Sequence, residues 1–121
     1  MESSLPPLAV HQLHSAPAPP PGAPPARVSV WGHSLFSDHR MLAPLAQHYI
    51  DAAAVATGTS WTAVLPDMRC HGDSAGLALP PPNTVDALAS DLARTLAAGQ
   101  REGRCVAWDA VGRAGAGCRA R

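Results

Sequence analysis

Leu8-Ala-Val-His-Gln-Leu-His14 alternates apolar and polar positions, the two-residue period of a half-buried edge strand. Val28-Ser-Val-Trp31 predicts a second short strand, running into Gly32-His33-Ser34. The period then changes. Leu42, Leu45, Ala46, Tyr49, Ile50 and Ala53 fall at i, i+3, i+4, i+7, i+8 and i+11, one continuous apolar helix face. Ser37 and Asp38 stand where a capping oxygen is needed, Pro44 where a first turn tolerates it, and Gly58 where the helix should stop. Trp61–Leu65 is short, apolar and partly β-branched, which suits a buried strand ending at Asp67. Pro80–Pro82 makes a rigid connector, and Thr84 is a good cap for a second helix. Val85, Leu88, Leu92 and Leu96 lie along one side of that helix, which should stop near Gly99.

Strand, helix, strand, helix over residues 28–100 predicts an α/β fold: a short parallel sheet with two flanking helices. Residues 1–7 are expected to be a disordered N-terminus and residues 8–100 the folded domain. Within it, Pro17–Pro25 carries six prolines and must be an extended loop. Its P-x-x-P spacings, Pro17/Pro20 and Pro21/Pro24, would suit an SH3-type ligand, but composition favours a plain connector. Residues 101–121 are mostly Arg, Gly and Ala, with no caps and no sustained period, and read as a disordered low-complexity tail. Only Cys105-Val-Ala-Trp108 could begin a strand there.

Composition narrows the function classes. Nine basic and nine acidic side chains cancel, which gives no reason to expect nucleic acid or an acidic membrane surface as partner. The three cysteines (70, 105, 118) are odd in number, without metal-type spacing, and predict reduced thiols in an intracellular compartment. No apolar run approaches the roughly 20 residues of a membrane span. Met1–Pro7 holds a Glu and no Arg or Lys, which fits neither a secretory leader nor an Arg-rich transit peptide. Cytoplasm and organelle both remain open.

The most informative stretch is Asp67-Met-Arg69-Cys-His71-Gly72-Asp-Ser74, a polar turn at the end of an apolar strand. Gly72 supplies the positive φ of a sharp bend. D-x-R-x-H-G-x-S after a strand resembles the turn following the fourth strand of α/β hydrolases, in the small esterase or thioesterase branch with an upstream H-G-L-F-G-S loop. Laid on that loop without gaps, the chain offers His33-Ser34-Leu35-Phe36-Ser37-Asp38. His, Leu and Phe match, and both glycines are replaced by Ser. The resemblance implies that His33, Ser34 and Leu35 form an oxyanion loop, with the Leu35 N–H as donor to the oxyanion of acyl transfer. It implies that Asp67, Arg69, His71, Gly72 and Ser74 brace the strand end beside the site. His71 as a general base is the alternative role. The family reaction is hydrolysis of a small carboxylic ester or thioester, with no cofactor, and some members are mitochondrial.

The catalytic half of the pattern is missing. A G-x-S-x-G elbow should follow the second helix, at positions 108–114, where Trp108-Asp-Ala-Val-Gly-Arg-Ala114 stands instead. No serine follows Ser90 and no histidine follows His71, so the order Ser, acid, His has no place. Ser34 is a substitute nucleophile in Gly32-His-Ser-Leu-Phe36, but Phe36 replaces the final Gly of an elbow. Asp109, as a dehalogenase-type nucleophile, lacks flanking glycines. Metal ligation is not expected. His11-x-x-His14 lies on a strand with no completing Cys or carboxylate, and His11, His14, His39 and His48 read as isolated surface histidines. No phosphate-binding or dinucleotide glycine motif occurs, and no cofactor is expected.

The expectation is therefore a hydrolase-family chain that stops before its catalytic centre and is inactive alone. The alternative is a non-catalytic binding or dimerising half-domain, self-associating through strand edges left uncovered.

Overall fold

The computed structural model describes residues 5–17, 22 and 26–101, the last two without their side chains. Strand β1 (Val10–His14), strand β2 (Arg27–Val30), helix α1 (His39–Thr57), strand β3 (Trp61–Pro66) and helix α2 (Val85–Arg101) follow in that order. A short 3-10 turn, Gly72–Ser74, lies between β3 and α2. The central loop residues 18–21 and 23–25, and the tail residues 102–121 with Cys105–Trp108, Asp109 and the elbow positions, lie outside the described residues.

The sheet order is β1-β3-β2. β2 and β3 are parallel, with Val28 opposite Thr62 and Val30 opposite Val64, and α1 makes the crossover between them. β1 runs antiparallel to β3, with Leu13 opposite Ala63. The sheet is thus mixed, and the expectation of a purely parallel one is corrected. The alternating pattern of β1 fits its edge position, and an antiparallel edge on a parallel core is a common arrangement.

α1 starts where Asp38 accepts the Arg40 N–H and ends at Gly58, which is left-handed at φ 65°. Its first residue is His39, so Pro44 stands inside the helix rather than in its first turn, and Arg40 loses the N–H that its carbonyl would have met. Ala46 and Ile50 are buried against Ala63 and Leu65, with Leu13, Trp31, Leu42, Ala43 and Trp61 around them. Leu45 and Tyr49, placed on the same face by spacing, are about half exposed (58% and 47%), so the buried stripe is narrower than the pattern suggests. Tyr49 nonetheless meets Trp31 and Trp61 edge-on.

Val64 points to the opposite side of β3 from Ala63 and Leu65, where it packs on Val28 and Val10. There Leu96, Thr95 and Gly99 of α2 share a cavity of about 190 Å³ with Leu8, Val10 and Val64. α2 lies across this cavity from the sheet and is tied to it through the Leu8 N–H on Thr95 and through Arg69 on Asp91. Thr84 caps α2 by accepting the Ala87 N–H. The buried face of α2, however, is Asp91, Thr95 and Gly99, whereas Leu88, Leu92 and Leu96 are half-buried and Val85 is exposed. No helix among the described residues is long and apolar enough to cross a membrane.

Candidate functional site

Parallel strands β2 and β3 end side by side, so the loop leaving β2 and the turn leaving β3 meet at the carboxyl edge of the sheet, where α/β proteins place their ligands. The first loop carries His33, Ser34, Leu35 and Phe36. The second carries Asp67 to Ser74. Two histidines tie them together. His33 Nδ1 donates to the Ser34 carbonyl (2.9 Å), which leaves Nε2 to accept the Met68 N–H of the other segment (2.9 Å). His71 Nδ1 donates to the Arg69 carbonyl (2.8 Å), and its Nε2 accepts the Phe36 N–H of the first loop (3.2 Å). Each imidazole is thereby held as the neutral Nδ1–H tautomer.

Asp67 is the anchor of the second turn and is fully buried. Its Oδ1 accepts the His39 N–H at the start of α1 (2.7 Å), its Oδ2 accepts the Asp73 N–H (2.9 Å), and His39 Nδ1 lies 2.9 Å from both oxygens. Burial pushes its carboxyl up, but the Asp73 and His39 N–H groups and the His39 ring outweigh it and hold Asp67 below the usual carboxylate range. Ser74 donates to the Asp67 carbonyl (2.6 Å) and accepts the Ala9 N–H ahead of β1 (2.9 Å), joining the turn to the edge strand. Gly72, at φ 49°, is required twice over: a Cβ there would lie 2.5 Å from Asp67 Oδ2.

Arg69 is almost wholly buried and grips Asp91 of α2 with two nitrogens, Nη2 to Oδ1 at 2.7 Å. Its Nη1 also donates to the Pro80 carbonyl (2.7 Å) and to Asn83 Oδ1 (3.2 Å), so one guanidinium organises the whole connector. The Arg69 hydrogen bonds hold the Asp91 carboxyl low against burial, with Arg94 adding to the effect. Asp91 is the site partner that sequence reasoning missed. Its only signal was an acidic residue next to the leucine stripe of α2.

Between the two loops and α2 lies a cleft of about 590 Å³, lined by Leu35, Phe36, Cys70, His71, Asn83 and Leu88 among others. Phe36 and Cys70 both adopt left-handed backbone angles (φ 62° and 65°), uncommon for residues with a side chain. Phe36 is 94% exposed, so no packing of its ring maintains that angle. Its N–H is taken by His71, whereas the Leu35 N–H has no hydrogen-bond partner among the described residues. The Ser34 hydroxyl makes no hydrogen bond to a ring nitrogen among the described residues.

Comparison with protein-family models, with curated proteins and with solved structures finds no match. The site must be judged on its own geometry.

That geometry ties the two sequence segments at His33 to Met68 and at Phe36 to His71, and puts Leu35, Arg69, His71 and Gly72 on one cleft, whereas Ser74 turns to Ala9 and Ser34 meets no side chain of the second turn among the described residues. It also corrects the reading of His11 and His39 as isolated. Their rings stack with centroids 3.4 Å apart, and both reach Asp67. His14 instead meets Thr62 Oγ1, and His48 is exposed on α1.

Proposed function

We propose that residues 8–100 form the oxyanion-side half of an α/β-hydrolase-type site for a small carboxylic ester or thioester, and that this chain does not hydrolyse such esters by itself. The observation that carries the reading is the unpartnered Leu35 N–H at a cleft wall, on a loop leaving a parallel strand and held by His33 and His71. A fixed backbone N–H free to meet a developing negative charge is the group that stabilises an oxyanion. Leu35, Phe36 and Leu88 give the cleft an apolar wall suited to an acyl chain.

The inactivity rests on the missing nucleophile and base. Both cleft-side histidines have each ring nitrogen engaged with backbone groups, so neither stands ready to take a proton from Ser34. Residues 91–121 hold no Ser and residues 72–121 no His. The test is a panel of p-nitrophenyl esters together with fluorophosphonate labelling of the full chain. Neither turnover nor labelling is expected; turnover that disappears in Ser34→Ala would make this chain a hydrolase with an early nucleophile.

A second reading is a non-catalytic module that self-associates. It is favoured by the sheet order, which places β1 and β2 at the edges, and by exposed Val30, Met41, Leu45 and Val55. Light scattering after size exclusion separates the two: a concentration-independent monomer contradicts the second reading and leaves the first intact.

A further inference from the structure

Around Asp67, four side chains from four separate places converge. They are His11 of β1, His39 at the start of α1, Asp67 after β3, and Asp73 of the 3-10 turn, with one donor atom from each lying within 4.8 Å of all the others. We propose that this cluster is a binding site for a divalent transition-metal ion of the zinc type.

Donor spacing is the first argument. A tetrahedral ion with arms of about 2.0–2.1 Å has ligand–ligand edges of about 3.3–3.4 Å. Here His11 Nε2 is 3.5 Å from Asp67 Oδ2 and 3.0 Å from Asp73 Oδ2, and His39 Nδ1 is 2.9 Å from both Asp67 oxygens. These spacings, 2.9 to 3.5 Å, lie close to such edges on either side.

An orphaned atom is the second. His11 Nε2 is shut off from solvent and makes no hydrogen bond, although two carboxylate oxygens lie close by. The oxygens are near enough but off the axis of an N–H donor, an arrangement that a central cation satisfies and a direct hydrogen bond does not. Charge is the third. Asp67 is wholly buried, and its only ion-pair partners among the described residues are the two imidazoles. Buried carboxylates are ordinarily paired with a cation or bound to metal. A divalent ion would balance Asp67 and Asp73 while both histidines stay neutral.

One rearrangement is required. The two rings are nearly parallel (14°), and no single ion can lie in both of two parallel planes. Binding must therefore swing His11 out of its stack. That ring is about one-third exposed and has no hydrogen bond to lose, whereas His39 is fixed through its own backbone N–H on Asp67. The ion would join β1 to α1 and to the turn after β3.

The test is titration of the full chain with Zn²⁺ and Co²⁺ after alkylation of its cysteines, so that thiols do not compete. Binding is read by competition with a chromophoric chelator, by the visible spectrum of tetrahedral Co²⁺, and by the imidazole nitrogen shifts of His11 and His39. One saturable ion per chain is expected, with movement of His11 Nε2 and His39 Nδ1. Asp73→Asn and His11→Gln change partly exposed side chains and should each weaken binding about tenfold or more, while His48→Ala leaves it unchanged. Absence of saturable binding would overturn the assignment. So would an affinity that neither Asp73→Asn nor His11→Gln alters.

Discussion

His33 and His71 each accept a backbone N–H from the segment that carries the other, at 2.9 Å from Met68 and 3.2 Å from Phe36, with ring centroids 5.1 Å apart. The pair is a reciprocal latch between the β2–α1 loop and the turn after β3. Each hydrogen bond contributes about 0.5–1.5 kcal/mol by ordinary measure. His71→Ala is expected to raise hydrogen exchange at Phe36 and to leave the middle of β3 protected, and His33→Ala does the same at Met68. Unchanged exchange at both amides would mean that the loops hold their shape without the latch.

The Arg69–Asp91 pair is the main tie between the turn and α2. Removing one partner strands a buried charge, at a cost of about 3–5 kcal/mol. Asp91→Leu alone should lower the urea midpoint sharply. The double change Arg69→Met with Asp91→Leu should recover much of the loss, because no unpaired charge remains. A double variant as unstable as the single one would show that the Arg69 contacts to Pro80 and Asn83 matter more than the ion pair.

Much of this was legible in the sequence, for identifiable reasons. Asp38, Thr84 and Gly58 announced their helix ends because capping is local chemistry that a few residues settle. The two segments that meet at the cleft were both readable, since Gly72 and the apolar run before Asp67 mark a strand end. What stayed hidden was non-local. Asp91 looked like any helix acid until Arg69 was seen opposite it, and His11 and His39 looked solitary because they lie 28 positions apart in the chain. The antiparallel course of β1 was hidden too, since alternation gives a strand its faces but not its direction.

Acid sensitivity follows from the two buried carboxylates. Arg69 chiefly lowers Asp91, and the N–H groups of Asp73 and His39 overcome burial to lower Asp67. Each folded-state value lies below the unfolded one of about 3.9, so the unfolded chain binds more protons in that range. Their stabilisation is complete above about pH 5 and is lost as the pH falls through the folded values. Urea midpoints followed from pH 6 downward should show a steep acid limb below about pH 4, and it should be shallower in the Arg69→Met, Asp91→Leu double variant.

Gly72 gives a sharper test of the turn. Gly72→Ala combines a left-handed φ with a Cβ 2.5 Å from the Asp67 carboxylate, and should destabilise the chain by about 1–3 kcal/mol. Gly76→Ala, where a Cβ meets open space, is the matched control and should change the melting temperature little. Equal effects from the two would deny Gly72 its special place.

The Leu35 amide tests the functional claim most directly. In ¹⁵N-labelled full chain titrated with a short-chain p-nitrophenyl ester, the account predicts saturable movement of the Leu35 N–H signal, with Phe36 held by His71 moving less and no nitrophenol released. Shifts confined to residues away from the cleft, with Leu35 unmoved at saturating ester, would contradict it.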